Sequence, residues 1–370
     1  MSTETVEAAE THIFPCSACG SDLRYAPGER FLKCDHCGNE DPLDPLSPWE
    51  AKAGVEEMDY GRAVSDQLDA AEMEETRVVG CSSCGAQVEF SAEEHAAECP
   101  FCASPLVTDT GTHRHIKPAG VLPFAFTEPE AHEAMTRWLG RLWFAPNGLK
   151  EYARHGRKLQ GMYVPYWTFD AMTHTAYKGR RGTEHRRTVG QGENRRTEVT
   201  VRWRNVAGQV ARHFDDVLIL GSRSLPADKT DGLAPWDLSV LEPYRPEFLA
   251  GFRAEGYTIE LEEGFREAGQ VMERVIVRDI RFDIGGDRQQ ITEKRTQMSE
   301  VTFKHILLPV WMAAYRYRGK SYRFIVNGRT GRVQGERPWS TWKIAVAVVL
   351  AALVAGAIGF VIAMEQNGGF

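Results

Sequence analysis

The residues best placed to do chemistry are the eight cysteines. Cys16, Cys19, Cys34 and Cys37 form a C-x2-C-x14-C-x2-C frame, and Cys81, Cys84, Cys99 and Cys102 repeat it 65 residues later. Two thiolate pairs on short knuckles, parted by a loop long enough for a β-hairpin, supply the tetrahedral donor set of a zinc ribbon. Gly20, Gly38 and Gly85 follow three of the knuckles, where the chain must turn sharply around a metal. Four thiolates close the coordination sphere, so two structural Zn2+ ions are expected, one per ribbon. A disulfide framework would need a secreted chain, and Met1 to Glu10 carries three glutamates with no basic or apolar signal region. His36 and His95, inside the frames, read as surface histidines.

Other candidate chemistry fails on spacing. Gly319, Lys320 and Ser321 look like the end of a phosphate-binding loop, but Ala314 stands where the upstream glycine belongs. His132 and Glu133 begin a zincin-like pair whose second histidine is replaced by Thr136. His113 and His115 share a strand face without a third donor. With every cysteine assigned to zinc, no thiol nucleophile remains, and the chain is expected not to be an enzyme.

Stepping outward from the ribbons, the pattern predicts an α+β protein: two four-cysteine ribbons, a β-rich α+β cytoplasmic domain and one C-terminal transmembrane helix. The expected segments are a disordered N-terminus (1–12), ribbon 1 (13–45), an acidic helical linker (46–77), ribbon 2 (78–109), the β-rich domain (110–337), the membrane helix (338–365) and a short external tail (366–370). Ile344 to Met364 is 21 residues without a charge, enough to span about 30 Å of hydrocarbon. Trp339, Trp342 and Lys343 at its leading edge, with Arg332 and Arg337 upstream, place the bulk on the cytoplasmic side of the membrane. Ala352/Gly356 and Ala355/Gly359 are small-xxx-small pairs that would let two such helices approach as a homo-oligomer.

Within the β-rich domain, Glu128 to Phe144 reads as an amphipathic helix with Met135, Trp138, Leu139 and Leu142 on one face. Strands are expected over Gly161–Met172, Glu198–Val206 and Val210–Leu220, with a tight turn at Gly208 and Gln209. Pro246 to Ala254 and Leu261 to Ile284 read as helices. VLPFAF from Val121, YVPYWTF from Tyr163 and LLPVWMA from Leu307 echo one another, each with a proline among apolar residues. Proline belongs at a strand start or edge, so the last two suggest equivalent strand starts in two related halves.

Charge is divided unevenly. Residues 1–110 hold 6 Lys and Arg against 23 Asp and Glu, a net of −17, whereas the remainder holds 38 against 28, a net of +10. Nucleic-acid binding relies on basic side chains displacing counterions, so these acidic ribbons are poor candidates for it and better suited to docking protein. The basic residues concentrate in Lys178, Arg180, Arg181, Arg186, Arg187, Arg195 and Arg196, a candidate contact for anionic lipid or an acidic partner.

The order of a CxxC-G ribbon, an acidic linker, a second ribbon ending CPFCASPLV, then LQGMYVPYWTFDA, LLPVWMAAYRYRGKSYRFIVNGRTGRVQGERP and an apolar span resembles the bacterial membrane-anchored double-zinc-ribbon proteins of the YdjG type. Their ribbons are termed TFIIB-type, and they are often mislabelled primosomal protein N′ or replication-factor-Y-like helicases. The resemblance implies a tail-anchored scaffold or adaptor working with phage-shock-protein-A-like (PspA-like) and SPFH-domain, flotillin-like proteins in envelope stress or membrane organisation. A helicase is not supported, because no complete phosphate-binding loop is present. The alternative is a membrane-tethered nucleic-acid-binding protein.

Overall fold

Two strands of 30 residues each organise the molecule. At about 3.3 Å per residue, such a strand runs close to 100 Å. The computed structural model describes residues 14–367 except 48, 50–54, 70–71, 90–95, 103, 108–110, 145–158, 190–195, 318–319 and 337–339. The first ribbon contains β1 (Leu23–Tyr25), β2 (Phe31–Cys34) and β3 (Glu40–Pro42); β4 (Met58–Asp59), α1 (Tyr60–Val64) and β5 (Met73–Gly80) lead onward. The second ribbon and its flank add β6 (Gln87–Glu89), β7 (Ala96–Glu98), β8 (Pro105–Val107) and β9 (Gly111–Ile116). Then come β10 (Gly120–Val121), α2 (Glu128–Gly140), β11 (Gln160–Val189), β12 (Arg196–Leu220), α3 (Ala227–Asp231) and β13 (Glu242–Pro243). The chain continues through β14 (Arg253–Ala254), α4 (Leu261–Ile284), β15 (Arg288–Tyr317), β16 (Lys320–Asn327), β17 (Val333–Gly335) and α5 (Thr341–Asn367).

The main sheet runs β12-β11-β15-β10-β13, with β14 on β11, β4 and β16 on β15, and β17 on β16. Its near end is a base buried on both faces. Because side chains alternate across a strand, Tyr163, Leu307, Trp311 and Phe324 form one face and Met162, Val164, Leu308 and Ile325 the other. Leu23, Tyr25, Leu32 and Leu43 of ribbon 1 share a core with the first set, together with Met135 and Leu139 of α2. Val79, Val88 and Phe101 around ribbon 2 share a core with the second. The ribbons are therefore walls on opposite faces of one sheet.

Beyond the base, β12, β11 and β15 continue as a three-stranded arm. α4 lies along it with Ala268, Met272, Ile276, Ile280 and Ile284 turned inward at four-residue spacing, one stripe of the helix surface. Arg212–Asp279 and Lys294–Glu273 ion pairs fasten its sides to the flanking strands. At the junction of base and arm, both flanking strands carry an extra residue relative to β11, shifting the register at Phe169/Ala171 and at Asp170/Met172. Asp216 and Glu300, one on each flanking strand, take left-handed φ of 50° and 52° there. Bulges of this kind bend a strand and raise its twist.

The echoed prolines have a geometric counterpart. Three and two residues before Pro165, β11 pairs in parallel with β14, and at the same offsets before Pro309, β15 pairs in parallel with β10. Each proline carbonyl accepts from a glycine N–H, Gly221 at 2.8 Å and Gly328 at 2.9 Å. One residue further on, the next antiparallel neighbour begins, β12 at Tyr166 and β16 at Val310. Both prolines thus sit inside long strands, in a gap between two neighbours where no N–H is called for. The strand-helix-strand-strand series β10-α2-β11-β12 and β14-α4-β15-β16 follow the same order, each short first strand crossing to the other series.

Several expectations change. The turn predicted at Gly208 is absent, and β12 runs unbroken from Arg196 to Leu220. Gly208 instead makes room: a Cβ there would lie 2.6 Å from the Tyr177 hydroxyl and 2.8 Å from an Asp283 oxygen. The linker helix shrinks to Tyr60–Val64, capped by Asp59 Oδ1 accepting from Arg62 N–H at 2.8 Å, and the end of the linker from Met73 joins strand β5, paired with β9. Pro246–Leu249 is a single 3-10 turn leading to β14.

Candidate metal centres

Three of the knuckles close on the same turn. The N–H four residues after the leading cysteine returns to that cysteine's carbonyl in Gly20 to Cys16 (2.9 Å), Gly38 to Cys34 (3.0 Å) and Gly85 to Cys81 (2.7 Å). Those glycines have φ of 77°, 79° and 75°, which a side chain rarely adopts. In addition, all four leading cysteines donate their own N–H to the carbonyl five residues on: Ser21, Asn39, Ala86 and Ser104.

These turns bring four sulfurs together at each site, all within 4.8 Å of one another. Cys16–Cys37 and Cys19–Cys34 are 3.6 Å apart in the first, and Cys81–Cys102 and Cys84–Cys99 are 3.6 and 3.7 Å apart in the second. A tetrahedron with Zn–S of about 2.3 Å has edges of about 3.8 Å, whereas a disulfide needs about 2.05 Å. The donor set fits zinc, and both frames would hold one ion each. Among the described residues, no other cluster of three or more potential ligands meets the same spacing. His36 is exposed in ribbon 1 and outside that donor set; His95 lies outside the described residues.

The sites differ in burial. Cys19 and Cys37 are exposed in the first, whereas Cys81, Cys99 and Cys102 are buried in the second. The Ser21 N–H draws the Cys19 thiol down to about 6. Hydrogen bonding with Cys99 lowers Cys84 to about 5, and the same contact raises Cys99. Crowded thiols ionise one at a time without a cation; a dication would favour all four thiolates.

Beside ribbon 2 lies a polar group that no motif signalled. Glu255 is 2% exposed and accepts from Ser222 Oγ at 2.6 Å and from Ser224 Oγ. Burial raises its carboxyl to about 8. His305, also buried, stands with Nδ1 2.7 Å from the Ile116 carbonyl, and burial lowers it to about 4. The only signal for either was an ionisable residue within an apolar stretch. His115 packs edge-on to Tyr257 at 4.8 Å; the side chain of His113 and the residue Gly319 lie outside the description.

The basic residues split between the arm's two faces. On the face away from α4, Lys178 pairs with Glu293 at 2.7 Å, Arg186 with Glu184 at 3.5 Å, and the Arg180 guanidinium lies 5.4 Å over the Trp203 ring. Arg181, Arg187 and Arg196 fall on the α4 side of β11 and β12. Arg195 lies outside the described residues.

α5 is the one helix among the described residues long and apolar enough to cross a membrane. Val348, Leu353, Ile358 and Phe360 are all more than half exposed along it.

No family model matches the chain, and no solved structure does. The chain is 26% identical over 333 residues to the uncharacterised protein YdjG of Bacillus subtilis (strain 168), a span covering 90% of this chain and 92% of that protein. What the site shows on its own geometry is two four-cysteine centres packed on opposite faces of one sheet, in a chain similar to YdjG over most of its length.

Proposed function

We propose that this protein is a zinc-stabilised scaffold, anchored by α5 in the bacterial inner membrane with its bulk in the cytoplasm, that gathers protein partners at the membrane. The observation that carries the reading is the arm, a three-stranded projection reaching far from a base already closed on both faces. A length of strand with one open face adds nothing to that core and offers a large surface for contact. The base supplies rigidity through zinc, and the role is structural, not enzymatic. PspA-like and SPFH-domain, flotillin-like proteins are the first partners to seek, in a complex serving envelope stress or membrane organisation.

The test is cross-linking in native membranes, then mild-detergent purification and mass spectrometry. A defined protein partner should be recovered with the intact chain and lost when residues 174–211 carry charge reversals on the open face. Recovery of the chain alone refutes the reading. The second reading, a nucleic-acid binder, is favoured by Arg181, Arg187, Arg196, Arg202 and Arg204 of the arm, which make no ion pair among the described residues. It requires a mobility shift with DNA or RNA at low salt that weakens steeply as salt rises.

A further inference from the structure

Past the end of α4 the arm narrows to the β11–β12 hairpin, and its α4-side face is set by register. Arg181 stands directly opposite Arg204, Thr183 opposite Arg202, His185 opposite Thr200, Arg187 opposite Glu198 and Val189 opposite Arg196. Residues directly opposite share a face, so five arginines and one glutamate line a strip of about 25 Å. None of the five makes an ion pair among the described residues, whereas the other face has Arg288 and Arg186 on Glu184 and Lys178 on Glu293. Like charges directly opposite each other cost stability. An arrangement that neutralises one face and stacks guanidinium groups on the other is suited to an external anion, and arginine's fork suits carboxylates. Phe282, on the last turn of α4 where the strip begins, lies on the helix side opposite the inward stripe and is 89% exposed.

The opposite charge lies at the other end of the same chain. Asp22, Glu29, Asp44, Glu56 and Asp66, on ribbon 1 and the segment after it, are exposed. None of them has an ion pair among the described residues, and Trp49 nearby is 79% exposed. From Tyr163 in the base to Arg187 is at most about 80 Å of strand, against a screening length of about 8–10 Å at physiological salt. The two poles of one chain cannot neutralise each other, but the poles of two chains can.

We infer that the arginine face of the arm tip docks on the acidic ribbon 1 end of a second copy. The contact is head-to-tail, so copies sharing one membrane plane join into rings or rows instead of closed pairs. This deepens the scaffold reading; if other partners are recovered and this contact fails, only the contact is lost.

The experiment uses the full chain reconstituted in neutral phosphatidylcholine vesicles, with p-benzoylphenylalanine in place of Phe282 and two isotopically distinct copies mixed. Irradiation should give cross-links between copies that map to residues 14–69, fall at least tenfold in 1 M NaCl, and fall at least tenfold in Arg204→Glu. That substitution sets a carboxylate opposite Arg181, so the hairpin should melt no lower, which separates loss of docking from loss of folding. Cross-links confined to lipid, or confined to one copy, would overturn the proposal. So would inter-copy cross-links unchanged by Arg204→Glu, or their replacement by lipid adducts when anionic phosphatidylglycerol is added.

Discussion

Stripping zinc from this protein should unfold the base of its sheet and spare the arm. Val79, Val88 and Phe101, at 4%, 0% and 0% exposure, join ribbon 2 to the core that holds Met162, Val164 and Leu308. Burying each side chain stabilises by about 1.5–3 kcal/mol, so the three together contribute roughly 5–9 kcal/mol. A structural zinc adds about 10–16 kcal/mol of coupled folding energy. Against a typical domain stability of about 5–15 kcal/mol, losing both leaves nothing to hold the base. The arm's core of Ala268, Met272, Ile276 and Ile280 packs with Tyr177 and Phe214 in a separate cluster without a ribbon residue. Hydrogen exchange read by mass spectrometry, before and after a strong chelator, resolves the two regions. Amides of 162–168 and 306–312 should lose protection while those of 173–177 and 268–280 keep it. If metal analysis shows zinc gone and the base amides remain protected, the ribbons are appendages and the reasoning fails.

Three further outcomes are expected. Glu255 has a folded pKa of about 8 against an ordinary 4.5, so the native state keeps a proton that the unfolded chain releases. Its contribution is complete below pH 4.5 and is lost as pH rises toward 8, by about 4–5 kcal/mol in all; Glu255→Gln should flatten the fall in melting temperature between pH 6 and 8, and an unchanged slope would remove Glu255 as its source. Gly208→Ala should destabilise by about 1–3 kcal/mol through overpacking against Tyr177, with partial recovery when Tyr177→Phe is added, measured by denaturant unfolding. Removal of 341–370 should release the chain from membranes washed in alkaline carbonate, conditions under which the intact chain stays with the pellet.

Much of this was legible locally. A knuckle is made by two cysteines and hydrogen bonds spanning five residues, eased in three of the four by a left-handed glycine, so the spacing of Cys81, Cys84 and Gly85 specifies it without help from distant residues. α4 was legible over its whole length because the four-residue stripe from Ala268 to Ile284 repeats without interruption. The apolar run of α5 was legible for the same reason, since a helix satisfies its own backbone groups.

What failed were inferences from single residues. Glycine marks turns, so the sequence points to one at Gly208, yet Gly208 is a strand residue that leaves space for Tyr177 and Asp283 arriving from elsewhere in the chain. Proline favours strand starts, yet Pro165 and Pro309 each lie within a strand at a gap created by where its neighbours stop. The linker helix gives way to β5 because a partner strand, β9, is available 33 residues further along at the closest register pair.

The sequence by itself determined two metal-ready cysteine frames, one long amphipathic helix, one span of membrane length and a chain divided into acidic and basic parts. Only the tertiary structure decided that the ribbons wall opposite faces of a single sheet, and that five arginines fall on one face of the arm, with no ion pair among the described residues and far from the acidic ribbon 1 end. The physical reason is that helices and knuckles close their interactions within a few residues, whereas the face a strand presents, and the charge it meets there, depend on register with strands distant in the chain.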